Sequence, residues 1–272
     1  MAIASQKIGW AQRWRGFARE AWLPIAFMLS LFVAWEGFVR GLDIARYILP
    51  APTEIFTQFI LRAGLLWEYT LVTGGETLAG FFVAVALGIP LSLLIAFSWV
   101  LRRTFYPLAV SLEMVPKIAF APMFVTWLGF SFAPKIIIVF MVCFFPILLN
   151  GILAFTSLSE DLLRFSRSTG AGPLTTFFKI RLPAALPQLF VGIKGAAVNA
   201  TVGATVSEWV GGDAGLGYYI QIATGDLRMD IAFAIIITLA ALGLALFWAV
   251  VLVERALIPW HISQRVNSGP VP

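Results

Sequence analysis

Three runs of this chain contain no Asp, Glu, Lys or Arg at all: residues 77–101 (25 residues), 136–159 (24) and 231–253 (23). An α-helix needs about 20 apolar residues to cross a ~30 Å hydrocarbon layer, so each run is long enough to span a bilayer. Three further apolar stretches are interrupted: 21–39 carries Glu36, 104–128 carries Glu113 and Lys117, and 184–209 carries Lys194 and Glu208. The chain therefore reads as an all-α integral membrane protein with six transmembrane helices, at about 21–39, 77–101, 104–128, 136–157, 184–209 and 231–254. They lie within a transmembrane domain over 21–262, between a cytoplasmic N-terminal segment 1–20 and a cytoplasmic tail 263–272. Charged residues make up only 12% of the chain, half the ~25% of a soluble domain, and the mean hydropathy is +0.90.

The basic residues set the orientation. With the N-terminus in the cytoplasm and six spans, the inside segments hold twelve Lys and Arg, from Lys7 to Arg265. The outside segments hold five: Arg40, Arg46, Arg62, Lys135 and Arg228. That is a positive-inside distribution, and it accounts for the net charge of +5 without a nucleic-acid partner. The basic leader before the first apolar run resembles a signal peptide, but Glu36-Gly37-Phe38-Val39-Arg40 stands where small cleavage-site residues belong. We read an uncleaved first helix.

Little catalytic chemistry is available. One cysteine, Cys143, excludes an internal disulfide, and the single histidine, His261, lies in the polar tail. No Gly-x4-Gly-Lys-Ser/Thr loop occurs, so ATP is not bound by that route.

The connections carry more information. In the outside segment 40–76, Pro50 and Pro52 force an extended approach. Thr53 is expected to cap a short helix bearing Ile55, Phe56, Phe59 and Ile60. The outside loop 210–230 is glycine-rich (Gly211, Gly212, Gly215, Gly217): either a flexible turn or a gate that bends closely over a pathway. In the inside loop 157–183, Ser159 before Glu160 and Asp161 reads as a helix start and Gly170 as its stop. Pro173 then opens a second short helix, ended by Pro183.

Gly170 followed after nine residues by Ile180, Leu182 and Pro183 resembles the second half of the Glu-Ala-Ala loop of ATP-binding-cassette (ABC) importer permeases. Pro50-Ala51-Pro52, Pro116-Lys117, Pro122, Leu128-Gly129, Pro183-Ala184-Ala185-Leu186-Pro187, Glu208 and Gly215-Leu216-Gly217 accompany it in order. Together they resemble the nitrate/sulfonate/taurine branch, with the type I, MetI-like importer permease architecture and its cytoplasmic coupling helix. The resemblance implies that Glu160, Asp161, Arg164, Phe165, Gly170, Ile180, Leu182 and Pro183 couple to an ATPase subunit. One departure stands out: Arg164-Phe165-Ser166 occupies the Glu-Ala-Ala positions, so a base replaces the usual acid.

Two intramembrane features bear on a pathway. Glu113 and Lys117, at i and i+4, are expected to neutralise each other on one helix, as a structural pair or as part of a path. Lys194, Thr201, Thr205 and Glu208 fall within a ~60° stripe along ~21 Å of the fifth span, beside a small-residue row of Ala196, Ala200 and Ala204. The stripe suits a translocation path with Gly211, Gly215 and Gly217 as gate loop. Alternatively, Lys194 and Glu208 reach opposite interfaces and the threonines bond to their own helix.

The resemblance implies a membrane-spanning permease subunit of a binding-protein-dependent importer in the bacterial inner membrane, not itself an enzyme. No cofactor is expected in this chain, ATP and magnesium being held by the partner ATPase. The implied partners are a cytoplasmic ABC ATPase, a periplasmic or lipid-anchored substrate-binding protein, a second copy of the chain, and membrane lipid. The implied substrate is a small anion or small polar organic solute such as nitrate, a sulfonate, taurine or a thiamine precursor. An ion-coupled carrier would instead show internal repeats. An integral-membrane enzyme would need a cluster of acids, bases or metal ligands.

Overall fold

The structure, a computed structural model, describes residues 10–158 and 160–260, without the side chains of 10–21, 160, 163, 165 and 167. Residues 1–9, Ser159, His261 and the tail lie outside the described residues. Among the described residues all regular structure is helical. Five helices are long and apolar enough to cross a membrane, and a sixth crossing is reached if one bent helix pair counts as a span.

The chain divides into two compact units. The first holds α1 (Trp10–Gly41), α2 (Pro52–Leu61) and residues 223–234. Helix α2 starts two residues earlier than expected, at Pro52, and Thr53 is not its cap. Glu36 reaches over from α1 instead, accepting from the Thr53 N–H at 3.1 Å and its hydroxyl at 2.8 Å, while also pairing with Arg40. A distant carboxylate thus satisfies donors that a helix start leaves open. Trp35 packs its ring 5.8 Å from that of Phe233.

The second unit contains α3 (Ala63–Phe97), α4 (Trp99–Glu113), α5 (Ala121–Leu128), α6 (Phe132–Thr156), α9 (Leu182–Gly211), most of α11 (Met229–Leu257) and the shorter helices between them. Its core is the mutual packing of α3, α6 and α9 around Phe81, Val139, Ile147 and Leu189. Lipid tails are as apolar as leucine, so helices in a membrane associate through close packing rather than hydrophobic transfer. Small residues provide it. A Cβ on Gly80 would lie 2.5 Å from Val139 Cβ, and one on Gly192 2.6 Å from Asn150 Cβ. Ala196, Ala200 and Ala204 are wholly buried, and the Cys143 thiol donates to the Ala196 carbonyl at 3.3 Å. Large apolar side chains such as Phe82, Leu94 and Trp248 face outward instead.

Three further helix boundaries depart from the sequence reading. Helix α3 begins at Ala63, not residue 77, so Thr73 and Glu76 lie inside it. The expected span 104–128 is not one helix: α4 and the segment Lys117–Leu128 meet at 79°. Pro116 lacks an N–H and forces the residue before it out of helical conformation. Glu113 and Lys117 still pair across the bend, at 3.2 Å, and the Lys117 ammonium also donates to the Glu113 carbonyl at 2.7 Å. Finally, Pro183 does not end a helix. A π-turn over Phe177–Arg181, in which the Leu182 N–H bonds the Phe177 carbonyl, carries α8 (Pro173–Thr176) into α9. An i→i−5 bond widens the turn where the proline ring would strike the carbonyl four residues back.

Gly80→Val should lower the stability of the purified protein by about 1–3 kcal/mol through overpacking against Val139. Its detergent unfolding midpoint should fall; an unchanged midpoint would contradict the close α3–α6 approach.

Candidate functional site

Glu208 lies one turn from the end of α9 and is fully buried. One of its carboxyl oxygens accepts from the Thr73 hydroxyl of α3 at 2.6 Å. The other accepts from the Gly217 N–H at the start of α10 (Leu216–Gly225). Thr73 Oγ1 in turn accepts from the Leu216 N–H at 2.8 Å. The loop between α9 and α10 therefore folds over the carboxylate, and the first turn of α10, the end of a helix that favours negative charge, gives one amide to Glu208 and one to Thr73.

Glycines make that fold possible. At Gly215 the backbone is left-handed, with φ +111°, and a Cβ there would collide with the Glu208 carboxyl group. A Cβ on Gly217 would strike the Thr205 carbonyl, and one on Gly211 would lie 2.6 Å from Val125 Cγ2. Of the expected gate-loop glycines, Gly215 and Gly217 thus wrap tightly around Glu208, while Gly211 packs against Val125 of α5.

Beside this clasp lies a buried ion pair. Lys135 Nζ, at the start of α6, sits 2.9 Å from Glu76 Oε1 of α3, with the two side chains 6% and 0% exposed. Asp213 of the glycine loop approaches the same ammonium at 3.7 Å. Helices α3, α6 and α9 and the loop are all tied into one polar cluster.

The structure does not bring the Lys194–Glu208 stripe together as one chain of polar groups. Lys194 pairs with Glu254 of α11 at 3.0 Å, both largely buried, and Glu208 is committed to the clasp. Between them, Thr201 and Thr205 line a groove between α9 and α11. Gly203 lies on the opposite side, where a Cβ would meet Val139 Cα at 3.2 Å.

At the other end of α9, helix α7 (Glu160–Ser168) and the α8 segment form a bent arm. Gly170 is left-handed, φ +74°, and no atom lies within 4 Å of where its Cβ would be, so its conformation alone requires glycine. Ser166, from the departing triplet, is buried and shares a 2.7 Å hydrogen bond with Thr176, locking the two short helices together. Phe177 meets Phe97 edge-to-face, with ring centroids 5.8 Å apart, and the Arg181 guanidinium lies 4.9 Å over the Phe97 ring, seating the arm on the end of α3. Leu162, Leu174 and Phe178 remain exposed, and Asp161 and Arg164 stand on the exposed side. Ile180, Leu182 and Pro183 are partly buried at the base. The side chains of Glu160 and Phe165 lie outside the described residues.

A bundle that commits its intramembrane charges to one another, keeps one groove beside a glycine-wrapped clasp, and carries an arm with exposed apolar side chains has the build of a solute permease. Residues 88–259 match the family described as binding-protein-dependent transport system inner membrane component. The riboflavin transport system permease protein RibX of Chloroflexus aurantiacus is 33% identical, over 92% of this chain and 96% of its own length. The formylaminopyrimidine transport permease protein ThiX of Halalkalibacterium halodurans is 32% identical, over 90% and 98%. The taurine transport system permease protein TauC of Escherichia coli is 26% identical, over 95% and 96%. A chain of the MetNI methionine ABC transporter, solved in inward-facing conformations, shares the fold with a TM-score of 0.55 at 19% identity, over 71% of this chain and 96% of that one. The chain belongs to the binding-protein-dependent inner membrane component family: it is an ABC importer permease, a transport subunit and not itself an enzyme. Members of this family work with an ATPase and a substrate-binding protein.

Thr73, Glu76, Lys135, Asp213 and Glu254 escaped the sequence reading. Glu76, Lys135 and Glu254 each sit immediately beside one of the three uncharged runs, and that position was their signal.

Glu208→Ala should leave the Gly217 N–H and the Thr73 hydroxyl buried without an acceptor, at about 1–3 kcal/mol per group. Hydrogen exchange at the Gly217 amide should then accelerate by roughly tenfold or more, and less in Glu208→Gln, which keeps one acceptor oxygen. Unchanged exchange in Glu208→Ala would remove the clasp.

Proposed function

We propose that this permease works as a pair of identical copies in the bacterial inner membrane, with both termini cytoplasmic. In this reading the bent α4–α5 segment completes six crossings per copy. The substrate path runs between the copies along the α9 face that carries Thr201 and Thr205. Two copies of a cytoplasmic ATPase hold ATP and magnesium and dock on the arm at residues 157–183, and an external binding protein delivers substrate. The substrate is a small anion or small polar organic solute, a range to which the relatives' names contribute riboflavin, formylaminopyrimidine and taurine.

One observation carries the coupling: the arm is continuous with α9 through the π-turn. A push on exposed Leu174 or Phe178 is therefore transmitted along the helix that ends at Glu208, rather than dissipated in a loop. Contact at the arm rests on apolar packing, because Arg164 replaces the usual acid and Ser166 is turned inward to Thr176. An ion-coupled carrier needs no such arm.

Gly170→Val forces a β-branched residue into the left-handed region, which costs ordinary residues about 1–2 kcal/mol and β-branched ones more. The variant should insert normally yet lose ATP-driven uptake in vesicles and retain less ATPase on purification. Normal uptake at normal expression would reject the coupling role. Cysteines at Thr201 and Thr205, in a Cys143→Ala background, should react with small hydrophilic thiol reagents at rates that depend on nucleotide, while cysteines at Ala196 and Gly203 stay unreactive. Equal reactivity on both faces would reject the path.

A further inference from the structure

The groove between α9 and α11 has a volume of about 670 Å³, within the range of pockets that hold one small organic molecule. Thr201, Thr205 and Trp209 line one wall and Gly243 and Phe247 the other, and every remaining lining residue is aliphatic. No charged side chain lines it. The nearest lysine along α9, Lys194, is already neutralised by Glu254 at 3.0 Å.

One polar atom stands out. Thr201 is 6% exposed, and its hydroxyl makes no hydrogen bond, whereas Thr205 donates its own proton to the Thr201 carbonyl at 2.8 Å. A buried hydroxyl without a partner is costly, and native structures rarely leave one so. The Thr201 hydroxyl faces Gly243: a Cβ built there would come within 3.2 Å of Thr201 Oγ1, so any side chain at that position would crowd it. An acyl chain would fill the groove but leave this hydroxyl unpaired. An anion would find no cation to replace its water. A flat ring carrying nitrogen or carbonyl groups satisfies both requirements, because it stacks on aromatic side chains and offers the hydroxyl a partner at its edge.

We infer that this groove is a substrate subsite for uncharged, planar heteroaromatic molecules, with the ring against Trp209 and Phe247 and an edge acceptor or donor on Thr201. The inference rests on the proposed path along α9 and narrows its substrate class, favouring a ring over an anion.

The test uses the permease–ATPase complex in lipid nanodiscs, with lumichrome, an uncharged fluorescent fused heteroaromatic, as probe and methanesulfonate as the anionic competitor. Lumichrome should bind saturably, and a hundredfold excess of methanesulfonate should not displace it. Thr201→Val should weaken binding about tenfold. Gly243→Leu should abolish it, and the milder Gly243→Ala, which preserves assembly, should weaken it several-fold. Displacement by methanesulfonate, absence of saturable binding, or unaltered binding in both Thr201→Val and Gly243→Ala would overturn the subsite. The cysteine assay at Thr201 and Thr205 separates the two failures. Nucleotide-dependent labelling there without lumichrome binding rejects the subsite and keeps the path; no labelling in any state rejects both.

Discussion

A charge placed in hydrocarbon costs several kcal/mol unless another group neutralises it, and the structure is organised around meeting that demand. Lys135 and Glu76 join α6 to α3, Lys194 and Glu254 join α9 to α11, and Glu113 and Lys117 close across the bend at Pro116. The first two pairs join different helices, so the same contacts that make the charges tolerable also fix how the helices are registered against one another. Close packing in lipid is driven by small residues, and Gly80 on α3 and the Ala196, Ala200 and Ala204 row on α9 allow close approach without choosing a register by themselves.

Glu208 extends this logic from helices to a loop. Its oxygens accept from a hydroxyl on α3 and an amide of α10, so a single carboxylate at the end of α9 holds the glycine loop over that end of the bundle. At the other end of the same helix the arm passes through the π-turn without interruption. Helix α9 is thus the element common to the arm, the groove and the clasp. In the proposed coupling, a displacement of the arm would reach the loop through this one helix.

Much of this was legible in the sequence. The uncharged runs located the long helices, Gly170 and Pro173 marked the break and restart of the arm, and the alanine row marked the packed face of α9. What stays hidden follows from one property of such runs: each ends at its first charged residue. Glu76, Lys135 and Glu254 are those residues, and each lies inside a helix as the partner of another charge. A hydropathy window treats a charge as an edge, whereas a folded membrane protein tolerates it once a partner lies within about 3–4 Å. The partners are far apart in sequence, Glu76 from Lys135 and Lys194 from Glu254, so no local pattern pairs them. Pro183 misled for a different reason. The π-turn before it widens the backbone and relieves the clash of its ring, so the helix runs on past it.

The claim that buried charge pairing sets the helix register is tested most directly by a double-mutant cycle at Glu76 and Lys135 in the purified, reconstituted permease. Removing one partner strands a buried charge, at about 3–5 kcal/mol, so Lys135→Met and Glu76→Gln should each lower the unfolding midpoint sharply. The double variant Glu76→Gln with Lys135→Met strands neither charge and should recover stability towards the parent, with a coupling energy on the order of 1–3 kcal/mol. Additive losses in the double variant would contradict the account.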